Sequence, residues 1–205
     1  MNTNQVTNSQ NQILALLRKK GIGKTMGKHL SEDECELFLN LINDASVSLT
    51  TIATLCIAFV MLPSTDIERS YRKKIEQKLN VFFPALSIIL FKTSDYNSVK
   101  NQLCNLDGIG FSKKMLQFLD TVIRLIKYEN LSDSEMSAGM EFVLDEDIES
   151  WVKAMFLEGI RLKRETKEEN IVGLKTFLEF SKFEDIDAPV LVDIANAYDG
   201  FTRTA

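Results

Sequence analysis

Residues 131–170 read LSDSEMSAGMEFVLDEDIESWVKAMFLEGIRLKRETKEEN, and residues 30–69 read LSEDECELFLNLINDASVSLTTIATLCIAFVMLPSTDIER. The two stretches align without a gap at an offset of 101 positions (131 − 30). Leu131-Ser132 falls on Leu30-Ser31, Glu135 on Glu34, Asp145 on Asp44, Ala154 on Ala53, Thr166 on Thr65 and Glu169 on Glu68. Elsewhere the match is in kind: Phe142-Val143 on Leu41-Ile42, and Ile148 on Val47. Four places carry a Ser or Thr followed three residues later by Glu: Ser31/Glu34, Thr65/Glu68, Ser132/Glu135 and Thr166/Glu169. In such a capping box the hydroxyl accepts the amide at the third helical position, and the Glu reaches back to the cap's own amide. The two boxes of each stretch are 34 residues apart (65 − 31 and 166 − 132). Two pairs in one register point to an internal repeat of helical units.

Hydrophobic spacing supports helices on both sides of that register. Ile148, Trp151, Val152, Met155, Phe156, Gly159 and Ile160 keep a three-four alternation, and Gly159 predicts close approach of another helix. The acidic turn Asp145-Glu146-Asp147-Ile148-Glu149 suits a helix start, where negative charge is favoured. A metal there would need His or a second acidic cluster, and neither is supplied. Thr166 opens a further helix whose Ile171, Leu174, Phe177 and Leu178 are expected to face inward. In the first copy a helix runs from Ser31 to about residue 43 with Cys35, Phe38, Leu39 and Ile42 at core spacing. The next, about 48–62, is apolar around most of its circumference and is expected to be enclosed. The one after Thr65 carries Arg69, Arg72, Lys73, Lys74 and Lys78, which read as a solvated face.

The flanks are less regular. Residues 1–8 offer nothing to bury and are expected to be disordered. A short helix with Ile13, Leu14, Leu16 and Leu17 follows. In the connector, 81–110, Phe82-Phe83-Pro84 breaks the chain, 85–91 fits a buried helix or a strand, and Leu106-Asp107-Gly108-Ile109-Gly110 is a turn. A stripe of Met115, Phe118, Leu119, Val122 and Leu125 makes 111–128 helical. Pro189-Val190-Leu191-Val192-Asp193-Ile194 has the β-branched pattern of a short strand. The expected fold is an all-α helical bundle of two related units, 9–80 and 111–182, with a strand stub in 183–205.

Bulk composition narrows the function. The chain has 205 residues, 45% of them hydrophobic, with only 3 Pro and 9 Gly, enough for a core and too few turn residues for a many-stranded sheet protein. A net charge of −5 excludes a global basic field for nucleic acid or membrane. Cys35, Cys56 and Cys104 lack metal-binding spacing and are expected to be reduced, packed thiols of a reducing compartment. The longest apolar run, 52–62, is too short to span a bilayer, and the polar N-terminus has no secretory core, so a cytoplasmic protein is expected. Gly21 to Lys28 contains Gly-Lys-Thr, but position 18 is Arg and the preceding residues are helical. A phosphate-binding P-loop needs a glycine there at the end of a strand. The loop reads as a helix cap with solvated cations, or as an anion or nucleic-acid patch of Arg18, Lys19, Lys20, Lys24 and Lys28.

Leu131-Ser132 to Glu135, then Asp147-Ile148, Ala154 and Arg161 to Glu169, resemble the small N-terminal helical domain of the anthranilate phosphoribosyltransferase family (glycosyl transferase family 3), shared with pyrimidine nucleoside phosphorylases. That domain typically carries Leu-Ser-x-x-Glu and Gly-Glu-Thr-x-Glu-Glu; here Arg164 stands in place of the glycine. Lys28 to Glu68 resembles the same domain more faintly. The resemblance implies that 183–205 begins an α/β domain missing from this chain, with Asn196, Asp199 and Gly200 at the substrate loop. Catalytic members have Gly-Thr-Gly-Gly-Asp there, and Asn196-Ala197-Tyr198-Asp199-Gly200 is closer to the non-biosynthetic, nucleic-acid-binding branch. The family uses magnesium with phosphoribosyl pyrophosphate; the residues that hold the metal are not in this chain, whose one histidine is His29. The expectation is a helical domain inactive alone, with no catalytic residues, cofactor or metal site of its own, that packs against its missing domain or forms a homodimer. The alternative is a nucleic-acid-binding module.

Overall fold

Ser31, Thr65 and Ser132 each begin a helix by a complete capping box with Glu34, Glu68 and Glu135. At the fourth expected position Thr166 Oγ1 accepts the Glu169 amide at 3.1 Å, and Thr166 N donates to Glu169 Oε2 at 2.7 Å. Ser48 and Ser112 cap two more helices through single side-chain bonds. The computed structural model describes residues 3–22, 27–91, 96–106 and 112–180. Among them lie ten α-helices and no strand: α1 (Thr3–Lys20), α2 (Glu32–Leu41), α3 (Leu49–Met61), α4 (Asp66–Phe82), α5 (Pro84–Phe91), α6 (Tyr96–Cys104), α7 (Lys113–Ile126), α8 (Asp133–Leu144), α9 (Ser150–Lys163) and α10 (Lys167–Phe180). The fold is an all-α bundle.

The helices of the two aligned stretches start in step. The first residues of α8, α9 and α10 follow those of α2, α3 and α4 by 101 in each case (133 − 32, 150 − 49, 167 − 66). Their packing corresponds as well. The outer helices of each set pack on one another, α2 on α4 and α8 on α10. The middle helices, α3 and α9, pack against each other, and each is backed by the helix that precedes its set, α1 behind α3 and α7 behind α9. One continuous apolar core results, from Ile13 on α1 to Leu162 on α9.

This placement explains the apolar circumference of α3, which is walled by α1, α5, α7 and α9. Gly159 meets the close approach its position implied. A β-carbon added there would sit 3.2 Å from Leu125 Cβ of α7 and 3.4 Å from Ile57 of α3.

Several expectations are corrected. Helix α1 begins at Thr3 and not near residue 9, so residues 3–8, expected to be disordered, are helical. Gln10 anchors it by donating to Thr51 Oγ1 at 3.0 Å and accepting from Ser48 N at 3.1 Å, and an anchored helix extends at one hydrogen bond per residue. Residues 84–91 resolve as helix α5, with Pro84 at its first position where a missing amide costs nothing. Helix α6, inside the expected connector, was not legible from spacing. Cys35 and Cys56 are buried, but Cys104 is exposed and not packed. The largest correction is on α10: Ile171, Leu174, Phe177 and Leu178 face outward. Its buried residues are Glu169, Gly173 and Thr176. The expected strand at 189–194, and most of the turn at 106–110, lie outside the described residues.

Candidate functional site

Two buried carboxylates organise the ends of the helices. Glu68, at the third position of α4, accepts from Leu30 N at 3.0 Å, Thr65 N at 2.9 Å and Lys20 Nζ at 2.8 Å. His29 Nδ1 lies 2.9 Å from Glu68 Oε2, the oxygen that also accepts from Thr65 N. A carboxylate can only accept, so the ring carries its proton on Nδ1 in this contact. Glu169, at the third position of α10, accepts from Leu131 N at 2.7 Å, Thr166 N at 2.7 Å and Lys163 Nζ at 2.7–2.9 Å. Each carboxylate therefore does more than close its own capping box. It ties the loop before one helix to the start of another 38 residues away.

The ammonium partner arrives by different routes. Lys20 comes from the last turn of α1 and also donates to Pro63 O; Lys163 comes from the last turn of α9 and also donates to Asn130 Oδ1. Asn130 stands 101 positions after His29 (130 − 29). Burial by itself pushes both carboxyls up. The hydrogen bonds from the lysine and the two backbone amides outweigh it, with His29 adding to them at Glu68, and both groups stay below the ordinary glutamate value. These are structural knots: both carboxylates are buried and fully engaged by these donors.

Two of the cations expected to form a patch are already committed to carboxylates. Lys20 is 2% exposed and committed to Glu68, so it cannot reach a phosphate without abandoning a buried carboxylate. Lys19 pairs with Glu34. Arg18 and Lys28 are exposed, and Lys24 lies outside the described residues. On α4, Arg72 stacks over Phe91 and Lys74 over Tyr71, while Arg69 pairs with Asp66. Asn196, Asp199 and Gly200 also lie outside the described residues. Among the described residues no cluster of three or more metal-ligating side chains occurs. The buried thiols are poor nucleophiles: burial pushes Cys35 up to about 11 and Cys56 higher still.

No family model, curated protein or solved structure matches this chain. What remains as a candidate site is a surface. Helix α10 packs on α8 through small and polar groups: Gly173 sits against Met136, and Thr176 Oγ1 lies 3.0 Å from Ser137 Oγ. Its large apolar residues point the other way, with Ile171 at 42%, Leu174 at 56% and Leu178 at 43% exposed, and Phe180 also exposed at the helix end. Sequence spacing identified Ile171, Leu174, Phe177 and Leu178 as one apolar stripe and assigned it to the wrong side. The signal that separates the two faces is Gly173 with Thr176, a small-residue strip that fits flush against the methionines of α8. Among the described residues no helix is long and apolar enough to cross a membrane.

Proposed function

We propose that this chain is a helical packing module of the phosphoribosyltransferase-like type, inactive in phosphoribosyl transfer by itself, and that α10 is its docking face. The outward row Ile171, Leu174 and Leu178 carries this reading. A soluble chain that can bury large apolar groups does so unless a partner covers them, and a contiguous apolar row marks an interaction surface. Two further observations favour the family. Its two motifs, Leu131-Ser132-x-x-Glu135 and Glu165-Thr166-x-Glu168-Glu169, are joined through the Glu169 carboxylate. Arg164, where the family has glycine, holds φ 69°, a backbone region that glycine occupies without strain. The common offset of 101 in helix starts and in both carboxylate knots supports descent of the two sets from one duplicated unit.

Turnover and ligand stabilisation test the reading. The purified chain is expected to show no turnover with phosphoribosyl pyrophosphate and an aromatic amine, and no magnesium-dependent rise in its unfolding midpoint with that pyrophosphate. A ligand that binds only the folded state would raise the midpoint by mass action, so such a rise overturns the inactive-module reading. The nucleic-acid reading draws on exposed Arg18 and Lys28 with Lys73 on α4. It requires binding to a duplex or single strand that falls steeply with salt and is lost in Lys28→Glu with Lys73→Glu.

A further inference from the structure

We infer that α10 and the end of α8 form a docking surface for a basic amphipathic helix of another protein, with one large apolar side chain of that helix seated between them. The inference rests on α10 being a docking face and adds the chemistry of its partner. An open cavity of about 200 Å³ lies where Lys114 of α7, Glu141, Phe142, Leu144 and Asp145 at the end of α8, and Phe180 of α10 come together. Phe142 is held by the core residue Phe118, 5.2 Å away between ring centroids, while Leu144 and Phe180 remain exposed. The space is smaller than the roughly 300–1,000 Å³ of a small-molecule pocket and suits a single apolar side chain. Phe177, three residues before Phe180, joins it to the row Ile171, Leu174 and Leu178, since residues three and four apart are neighbours on a helix surface. From Ile171 to Phe180 the surface is about 14 Å long at 1.5 Å per residue, enough for two turns of a partner helix. Among the described residues no strand offers an edge, so an extended peptide would lie here with its backbone groups unpaired, whereas a helix satisfies its own.

The first helix set shows the same place covered. There Leu79 of α4 stands where α10 has Phe180 (180 − 101), and Leu79 is fully buried. Helix α4 is packed by α2 and by the apolar helix α5, whereas α10 is packed by α8. The rim then selects the charge of the partner. Glu141 lines the cavity, and Glu146 and Glu179 adjoin its lining residues Asp145 and Phe180. All three are exposed, and none enters an ion pair among the described residues. Lys114 is committed to Asp145, which leaves Lys113 as the one exposed cation next to a described lining residue. The corresponding positions of the first set hold Asn40, Ala45 and Lys78, and the same helices form there, so the fold does not require these acids. An acidic rim beside an apolar seat is complementary to a helix whose apolar anchor is flanked by Lys or Arg.

Binding of two designed helical peptides to the full chain, followed by fluorescence anisotropy over a salt series, tests this. One peptide has leucines at three-four spacing with lysines elsewhere; the other has glutamates in place of the lysines. The lysine peptide is expected to bind with a dissociation constant on the order of ten micromolar at low salt, and the glutamate peptide roughly tenfold or more weakly. Phe180→Ser is expected to weaken the lysine peptide by roughly tenfold while keeping the helical spectrum of the protein. Glu141→Lys is expected to weaken it by roughly threefold to tenfold. Asp66→Lys makes the same change in net charge at an exposed position of α4 and is expected to weaken it by less than about twofold. Equal binding of the two peptides, or an equal loss in Glu141→Lys and Asp66→Lys, overturns the basic partner. Binding indifferent to Phe180→Ser overturns the seat. Failure of the lysine peptide to bind overturns the inference as a whole. In that case a neutral apolar fluorescent dye separates it from the reading beneath it: dye binding lost in Leu174→Asp retains α10 as a docking face, and no difference between the two proteins removes that as well.

Discussion

At the scale of single residues, two positions carry strain or crowding with measurable consequences. Arg164 ends α9 with φ 69° and ψ 111°, where a β-carbon crowds the backbone at about 1–2 kcal/mol. Glycine relieves that but loosens the unfolded chain, so Arg164→Gly is expected to raise stability by about 0.5–1 kcal/mol, read as a shift in denaturant midpoint without change of slope. Gly139 is the opposite case. A β-carbon there would come 2.4 Å from the Phe156 ring, which is fully buried and held by Phe118 at 5.1 Å between centroids. The ring has nowhere to retreat, and Gly139→Ala is expected to cost about 1–2 kcal/mol despite alanine's better helix propensity. The alignment shows why the glycine is there. Position 38 in the first set is Phe where 139 is Gly, and position 55 is Leu where 156 is Phe, so bulk has moved from one helix to the other.

At the scale of elements, helix starts and loops are coupled through the two carboxylate knots. Glu68 and Glu169 both have folded pKa values below the ordinary 4.5, so they bind protons less readily folded than unfolded. Their contribution to stability is complete above the ordinary glutamate range and is lost as pH falls through the lowered folded values. Glu169→Gln is expected to cost about 3–5 kcal/mol at neutral pH, because Lys163 is left buried without its counter-charge. It is also expected to flatten the fall in stability below the ordinary glutamate range, read by unfolding midpoints across a pH series. An unchanged slope there would mean that other carboxylates govern the acid limb. These knots were half legible. The Ser/Thr-x-x-Glu spacing announces the cap, but the same Glu reaching Leu30 N or Leu131 N is a contact across the fold that no local spacing contains. The lysines hide further, since Lys20 and Lys163 occupy non-equivalent positions and read as ordinary basic last turns.

At the scale of the whole molecule, the two helix sets share one core through α3 and α9. Neither set can bury its middle helix without the other. A single cooperative unfolding transition is expected, with Trp151 fluorescence, which reports α9 alone, and far-ultraviolet dichroism, which reports all the helices, giving one midpoint. Two separated midpoints would show that each set is a domain of its own. Helix class, the four Ser/Thr-x-x-Glu helix starts and the enclosure of α3 follow from local chemistry: hydroxyl caps, spacing near 3.6 residues and an unbroken apolar run. The sequence alone was sufficient for these because each depends on neighbours within a few residues. The outward turn of α10 was decided only by the tertiary structure. Its apolar stripe satisfies the rule for an inward face, but α8 presents Met136 and Met140 at close range, and only Gly173 and Thr176 are small enough to lie against them. Close packing of one helix on another outweighed the hydrophobicity of the stripe, and so left Ile171, Leu174 and Leu178 on the surface.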